Sequence, residues 1–69
     1  KMKIYDNICK VAKNKGVSIN SIERENELSA GSLCKWNVVS PTVRSLKKVA
    51  EYLGVSIEEL LREDDGKGE

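Results

Sequence analysis

Residues 29–36 have the residue types and spacing with the clearest functional meaning in this sequence. Leu33 and Trp36 are three residues apart, so on a helix both would face inward. The opposite face would carry small residues, short polar residues and one cation: Ala30, Gly31, Ser32, Cys34 and Lys35. A helix with so small an outer face is suited to lie against a large partner, and the major groove of DNA admits an α-helix.

The residue inventory gives little support to catalysis. The chain has no histidine, and it shows neither a glycine-rich phosphate loop nor a metal-ligand spacing. Two cysteines, Cys9 and Cys34, do not make a disulfide framework, and we interpret them as the reduced thiols of a cytosolic protein. We therefore expect no enzyme activity, no metal, no cofactor and no small-molecule ligand.

The length of 69 residues predicts one small domain with only a modest core. No apolar run approaches the roughly 20 residues that a transmembrane helix needs, and we find no signal-peptide pattern. These features predict a soluble protein with a cytoplasmic location and no membrane partner.

Charge is distributed unevenly along the chain. Residues 1–48 contain ten Lys/Arg against four Asp/Glu, a net charge of +6, and residues 49–69 contain two against seven, a net charge of −5. A basic body with an acidic tail suits a face that binds a polyanion, although a charged stretch is also typical of an ordinary solvated surface.

Apolar periodicity predicts an all-α domain over residues 1–62, followed by an acidic, disordered tail at 63–69. The predicted helices lie near residues 3–15, 19–26, 30–36, 41–53 and 57–62. Their apolar residues recur at helical spacing on one face: Ile4, Ile8, Val11 and Ala12 in the first helix, and Val43, Leu46, Val49, Ala50 and Leu53 in the fourth. The fifth helix is short and apolar at Ile57, Leu60 and Leu61.

An apolar residue followed by serine marks four of the predicted helix starts. The serines that would serve as N-caps are Ser18, Ser29, Ser40 and Ser56. Pro41 would be the first residue of the fourth helix, and Gly16 and Gly54 would end the first and fourth helices in the left-handed conformation.

The second and third predicted helices are joined by a tight connection around Glu27 and Leu28. Two short helices on such a turn are typical of a helix-turn-helix, in which the second helix contacts DNA. Arg44, Lys47 and Lys48 form a basic patch near the start of the fourth predicted helix.

The stretches SINSIERENELSAGSLCKW and SPTVRSLKKVAEYLGVSIEELL resemble the lambda-repressor-like, XRE-type helix-turn-helix family of prophage repressors and small bacterial regulators. The resemblance covers about residues 4–61. It implies a compact bundle of five helices that binds operator DNA, typically as a dimer, with Ile22, Leu33 and Trp36 in the core.

The resemblance also implies a set of DNA-binding residues. The base-facing positions would lie on the third helix, Asn20 would lie at the start of the second helix, and the loop and helix start after Trp36 would approach phosphate. The full set is Ser29, Ala30, Gly31, Ser32, Cys34, Lys35, Asn20, Asn37, Ser40, Thr42 and Arg44.

Two departures from the family pattern affect these expectations. Asn26 and Glu27 stand where the family has an apolar residue and then glycine, so we expect the turn either to shift by a residue or to be strained at Glu27. Ala30 and Gly31 have no side-chain hydrogen-bonding group for a base. Direct readout would fall to Ser32, Lys35 and Asn20, with Lys35 to guanine the strongest candidate.

We therefore expect a sequence-specific DNA-binding transcriptional regulator, repressor-like, which inserts the helix at 30–36 into the major groove of an operator. It would bind an inverted repeat as a homodimer, with Leu61 in the dimer surface. The alternative is a helix-turn-helix module for protein–protein interaction, antitoxin-like or polymerase-binding, with little specific DNA readout.

Overall fold

The computed structural model describes residues 3–63, which contain helices and connecting loops but no β-strand. The elements in chain order are α1 (Ile4–Lys15), α2 (Ile19–Glu25), a 3₁₀ helix (Leu33–Asn37), α3 (Val43–Leu53) and α4 (Ile57–Leu61). The all-α prediction is confirmed. The prediction of a helix at 30–36 is wrong, since a shorter 3₁₀ helix begins at Leu33. Of the predicted tail, residues 64–69 lie outside the described residues.

All five elements contribute side chains to one apolar core. Its buried members are Ile4, Ile8, Ala12, Ile22, Leu33, Trp36, Leu46, Val49, Ala50, Leu53 and Leu60. The core positions expected for Ile22, Leu33 and Trp36 are confirmed. Val43 belongs to the apolar face predicted for the fourth helix but is 74% exposed, because it is the first residue of α3 and lies beyond the end of the core.

Local capping sets most of the helix ends. Ser18 and Ser56 accept backbone hydrogen bonds of 3.0 and 3.1 Å from the third residues of α2 and α4, as predicted. Gly16 and Gly54 end α1 and α3 with φ of 73° and 74°, also as predicted.

The predicted start of α3 is wrong. Thr42, rather than Ser40, is the N-cap residue: its backbone is extended, with φ −71° and ψ 157°, and its hydroxyl oxygen accepts a 3.2 Å hydrogen bond from the Ser45 N–H. Pro41 consequently precedes the cap instead of occupying the first helical turn. The helix therefore begins at Val43, two residues later than expected.

The start of α1 is capped by a residue distant in sequence. The Asn37 side-chain oxygen accepts hydrogen bonds from the backbone N–H groups of Tyr5, at 2.8 Å, and Asp6, at 3.4 Å. The Asn37 amide also donates to the Asp6 carboxylate at 3.1 Å. The end of the 3₁₀ helix therefore satisfies amides at the start of α1.

The end of α4 is fastened to α1 by Asn7. Its side-chain amide donates to the carbonyl oxygens of Leu60, at 2.7 Å, and Arg62, at 2.8 Å. Carbonyls at a helix C-terminus have no partner within the helix, so these bonds both satisfy them and fix the direction of α4.

The turn after α2 places Glu27 in the left-handed region, with φ of 60°. Within the described residues it is the one non-glycine residue with positive φ. The sequence-based expectation of strain at this position is confirmed. The Leu28 N–H donates to the Glu23 carbonyl at 2.7 Å, so the strained turn also closes the end of α2.

Replacing Glu27 with glycine should stabilise the fold relative to replacing it with alanine. Both variants lose the exposed 3.7 Å ion pair with Lys48, so their difference reports only the backbone. A Cβ atom in the left-handed region costs about 1–2 kcal/mol, and glycine loses about 0.5–1 kcal/mol of chain entropy. We expect the free energy of unfolding, measured in urea, to be about 0.5–1 kcal/mol higher for Glu27→Gly than for Glu27→Ala. Equal free energies would contradict the strained turn.

Removing the Asn37 side chain should weaken the fold through the start of α1. Asn37→Ala leaves the Tyr5 amide without its acceptor, and loss of a cap typically lowers the free energy of unfolding by about 1–2 kcal/mol. Asn14→Ala, at an exposed position of the same helix, is the matched control and should leave stability within about 0.5 kcal/mol. Denaturant unfolding monitored by Trp36 fluorescence measures both.

Candidate nucleic-acid interface

The segment between α2 and the 3₁₀ helix forms a second turn. Gly31 has φ of 85°, a left-handed conformation that a continuous right-handed α-helix cannot contain. The Ser32 hydroxyl donates to the Ser29 carbonyl at 2.6 Å, and the Cys34 thiol donates to the Gly31 carbonyl at 3.0 Å. The left-handed Gly31 explains why residues 30–32 are not helical, and the two side-chain bonds hold the turn that forms instead.

The predicted N-cap at Ser29 is also wrong, since its carbonyl oxygen rather than its hydroxyl participates, accepting from the N–H of Ser32 at 3.0 Å. The capping role belongs instead to Glu23, which lies eight residues before Gly31 and ten residues before Leu33. One oxygen of its carboxylate accepts the N–H of Gly31 at 3.0 Å and the N–H of Leu33 at 3.1 Å. A carboxylate on backbone amides at a helix start makes charge-assisted hydrogen bonds with favourable dipole orientation.

Glu23 is only 3% exposed, and the sequence-based argument did not identify it. A signal was present: Ile19, Ile22, Glu23 and Asn26 fall at i, i+3, i+4 and i+7, so Glu23 and Asn26 occupy inward positions of α2. A carboxylate placed inside must have hydrogen-bond donors nearby. Asn26 is also buried, and its amide donates to the Ile22 carbonyl at 2.8 Å.

The phenol of Tyr5, on α1, interacts electrostatically with Cys34 and Glu23. A side-chain hydrogen bond with Cys9 is the main cause that raises the pKa of Tyr5 above its ordinary value of 10.0, and Cys9, Cys34 and Glu23 act in the same direction through their charges. The phenol therefore stays neutral across the physiological pH range and adds no charge to the surface.

An open cleft of about 410 Å³ separates α2 from the turn at residues 29–32. It is lined by Asn20, Glu23, Arg24, Leu28 and Ala30. Asn20 and Arg24 are one helical turn apart on the exposed side of α2, opposite the buried Ile22. The cleft therefore brings the predicted Asn20 and Ala30 together and adds Arg24, which the sequence-based prediction did not include.

The structure divides the predicted DNA-binding residues into two groups. One group is defined only by an exposed side chain or backbone: Ser29, Ala30, Gly31, Lys35, Asn20, Ser40 and Arg44. In the other group a polar side-chain atom makes a defined hydrogen bond inside the fold. Cys34 donates to Gly31, Ser32 donates to Ser29, Asn37 caps α1, and Thr42 caps α3.

Exposed basic and apolar side chains follow this segment along the chain. Lys35, Arg44 and Lys47 are exposed, whereas Lys48 is paired with Glu27. Between the 3₁₀ helix and α3, and at the start of α3, three valines project into solvent: Val38 is 81% exposed, Val39 57% and Val43 74%.

Comparisons with known proteins leave the function to be argued from this geometry. No protein-family model, curated protein or solved structure matches the chain. Within residues 3–63, no helix has the length and apolar character needed to cross a membrane.

Removing the Glu23 carboxylate should loosen the turn at residues 29–33. Glu23→Ala deprives the Gly31 and Leu33 amides of their acceptor, and hydrogen bonds to a charged group contribute about 1.5–3 kcal/mol each. We expect the free energy of unfolding to fall by at least about 2 kcal/mol, and these two amides to exchange with solvent faster. Glu25→Ala, two residues away and exposed, is the control and should change neither. Unchanged exchange at Gly31 and Leu33 would contradict the assigned role.

Proposed function

We propose that this chain is a sequence-specific DNA-binding transcriptional regulator, repressor-like, built on a variant helix-turn-helix. Its first helix is α2, and its second segment is the turn at residues 29–32 together with the 3₁₀ helix. The support is the arrangement itself: α2 is followed by the turn at Glu27, the turn at residues 29–32 and the 3₁₀ helix, with Leu33 and Trp36 buried beneath an exposed outer surface.

The observation on which the proposal mainly rests is the exposed turn that Glu23 fixes to α2. A Cβ atom built on Gly31 would meet nothing within 4 Å, so the backbone there is open to a large partner. Ala30 adds a small apolar side chain suited to a thymine methyl group. Because the turn is fixed before binding, little conformational entropy is lost on contact with DNA.

Three exposed cations surround the turn in this proposal. Arg44 and Lys47 lie one turn apart on the outer face of α3 and bind phosphates, which fixes the position of the domain on the duplex. Lys35 projects from the 3₁₀ helix and reaches a guanine edge in the major groove.

Two copies bind an inverted repeat in this proposal, because one copy offers few base contacts and twofold operators match twofold proteins. Leu61 on α4, 45% exposed, contributes to the contact between copies. Sedimentation of the complex with DNA should give the mass of two chains per duplex, and a single chain per duplex would contradict this arrangement.

A second candidate function is favoured by the three exposed valines. Val38, Val39 and Val43 lie within six consecutive residues and are all exposed, and such exposed apolar side chains are frequent in protein–protein contacts. The chain would then be a helix-turn-helix module that docks on another protein with little specific DNA readout.

Salt dependence distinguishes the two functions. If phosphates are neutralised, the logarithm of the affinity for duplex DNA should fall linearly with the logarithm of the salt concentration, with about 0.9 of slope per phosphate contact. Arg44→Ala and Lys47→Ala, which each remove a phosphate contact, should each reduce the slope by about 1. Fluorescence anisotropy with a labelled duplex measures this.

Lys10→Ala is the matched control for charge, since Lys10 lies beside Asn7, Glu59 and Arg62 near the junction of α1 and α4, away from the turn. The salt-dependence slope of Lys10→Ala should equal that of the wild type. Binding that is insensitive to salt, or a Lys10→Ala slope as low as that of Lys47→Ala, would count against DNA binding through this face.

A further inference from the structure

We infer that Asn20 and Arg24, on the outer face of α2, contact bases directly, with Arg24 recognising a guanine and Asn20 an adenine. This inference rests on the proposed function and specifies which residues determine the DNA sequence. It moves the main base readout from the segment after the turn to the helix before it.

The first step is the shortage of hydrogen-bonding groups on residues 29–34. Ala30 and Gly31 have no polar side-chain atom, the Ser32 hydroxyl donates to the Ser29 carbonyl at 2.6 Å, and the Cys34 thiol donates to the Gly31 carbonyl. Outside the Ser29 hydroxyl and the neighbouring Lys35, which is assigned to a single guanine, this surface therefore offers a base little beyond van der Waals contact. Recognition of a defined sequence needs donors and acceptors from a neighbouring element.

The second step is the position of Asn20 and Arg24. They are four residues apart on α2, on the side opposite the buried Ile22, and both line the cleft that Ala30 borders from the other side. A partner lying against the turn at Ala30 therefore lies within reach of the long Arg24 side chain and close to the shorter Asn20.

The third step is the chemistry of the two side chains. Arginine forms a bidentate pair with the O6 and N7 atoms of guanine, and asparagine forms one with the N6 and N7 atoms of adenine. Arg24 is available for such a contact: its side chain is 72% exposed, and the ion pair with Glu25, at 4.0 Å, is long and solvated.

The spacing gives a prediction about the DNA site. Four residues along an α-helix span about 6 Å, and successive bases of one strand are about 3.4 Å apart along the duplex. Asn20 and Arg24 should therefore reach base pairs about two steps apart. Each half-site should contain an adenine and a guanine at that separation.

Selection from a random duplex library at low salt tests the inference. The wild type should enrich a motif with the adenine and guanine about two steps apart. Arg24→Ala should lose the preference at the guanine position by about tenfold or more while keeping the adenine, and Asn20→Ala should show the reverse. Lys47→Ala, which also loses one exposed cation, should keep the full motif and bind every duplex more weakly.

The other outcomes separate this inference from the proposed function. If Arg24→Ala weakens all duplexes equally and keeps the wild-type motif, Arg24 contacts phosphate; the inference is then wrong and the proposed function stands. If the wild type enriches a motif that lacks the adenine–guanine pair, the inference is also wrong and the proposed function again stands. If the wild type enriches no motif at low salt, sequence-specific recognition fails, and the inference fails with it. Arg24→Lys should bind nonspecific DNA like the wild type but show a weaker guanine preference, since the lysine ammonium lacks the rigid planar fork of arginine.

Discussion

The carboxylate of Glu23 connects α2 to the segment that follows it, and the candidate interface depends on that connection. One of its two oxygens accepts hydrogen bonds from the N–H groups of Gly31 and Leu33, at 3.0 and 3.1 Å, and Glu23 itself is only 3% exposed. Burying a carboxylate is costly unless donors surround it, so the two amides and the carboxylate need each other. The consequence is a turn at residues 29–32 whose exposed surface keeps one shape before any partner arrives.

Side-chain hydrogen bonds to backbone groups also connect other helices of this small domain. Asn37 links the end of the 3₁₀ helix to the start of α1, and Asn7 links α1 to the end of α4. Apolar burial in a chain of 69 residues is limited and does not specify directions well. Hydrogen bonds between distant residues supply that specificity, so Glu23, Asn37 and Asn7 determine how the exposed face is presented.

Local patterns predicted what local forces determine. The all-α class, the N-caps Ser18 and Ser56 and the strain at Glu27 follow from periodicity and from backbone preferences within a few residues. The helix predicted at 30–36 was wrong, because apolar spacing does not detect the left-handed Gly31. The capping hydrogen bonds of Glu23 and Asn37 could not be predicted, because their partners lie 8–10 and 31–32 residues away in the sequence. In the candidate interface, residues 29–31, 34 and 35 are exposed, as expected for the DNA-binding residues predicted from the sequence. Arg24 was not among those residues and was identified only because it lines the cleft.

Mapping backbone amide chemical shifts while a duplex is added at low salt would test the central claim most directly. That claim is that a turn fixed by Glu23 and the outer face of α2 form one DNA-binding surface. It predicts that the largest shift changes fall on residues 20, 24 and 29–35, with Gly31 and Leu33 protected from exchange both before and after binding. Changes concentrated on α4 or on the valines at 38, 39 and 43, with α2 and the turn unaffected, would contradict it.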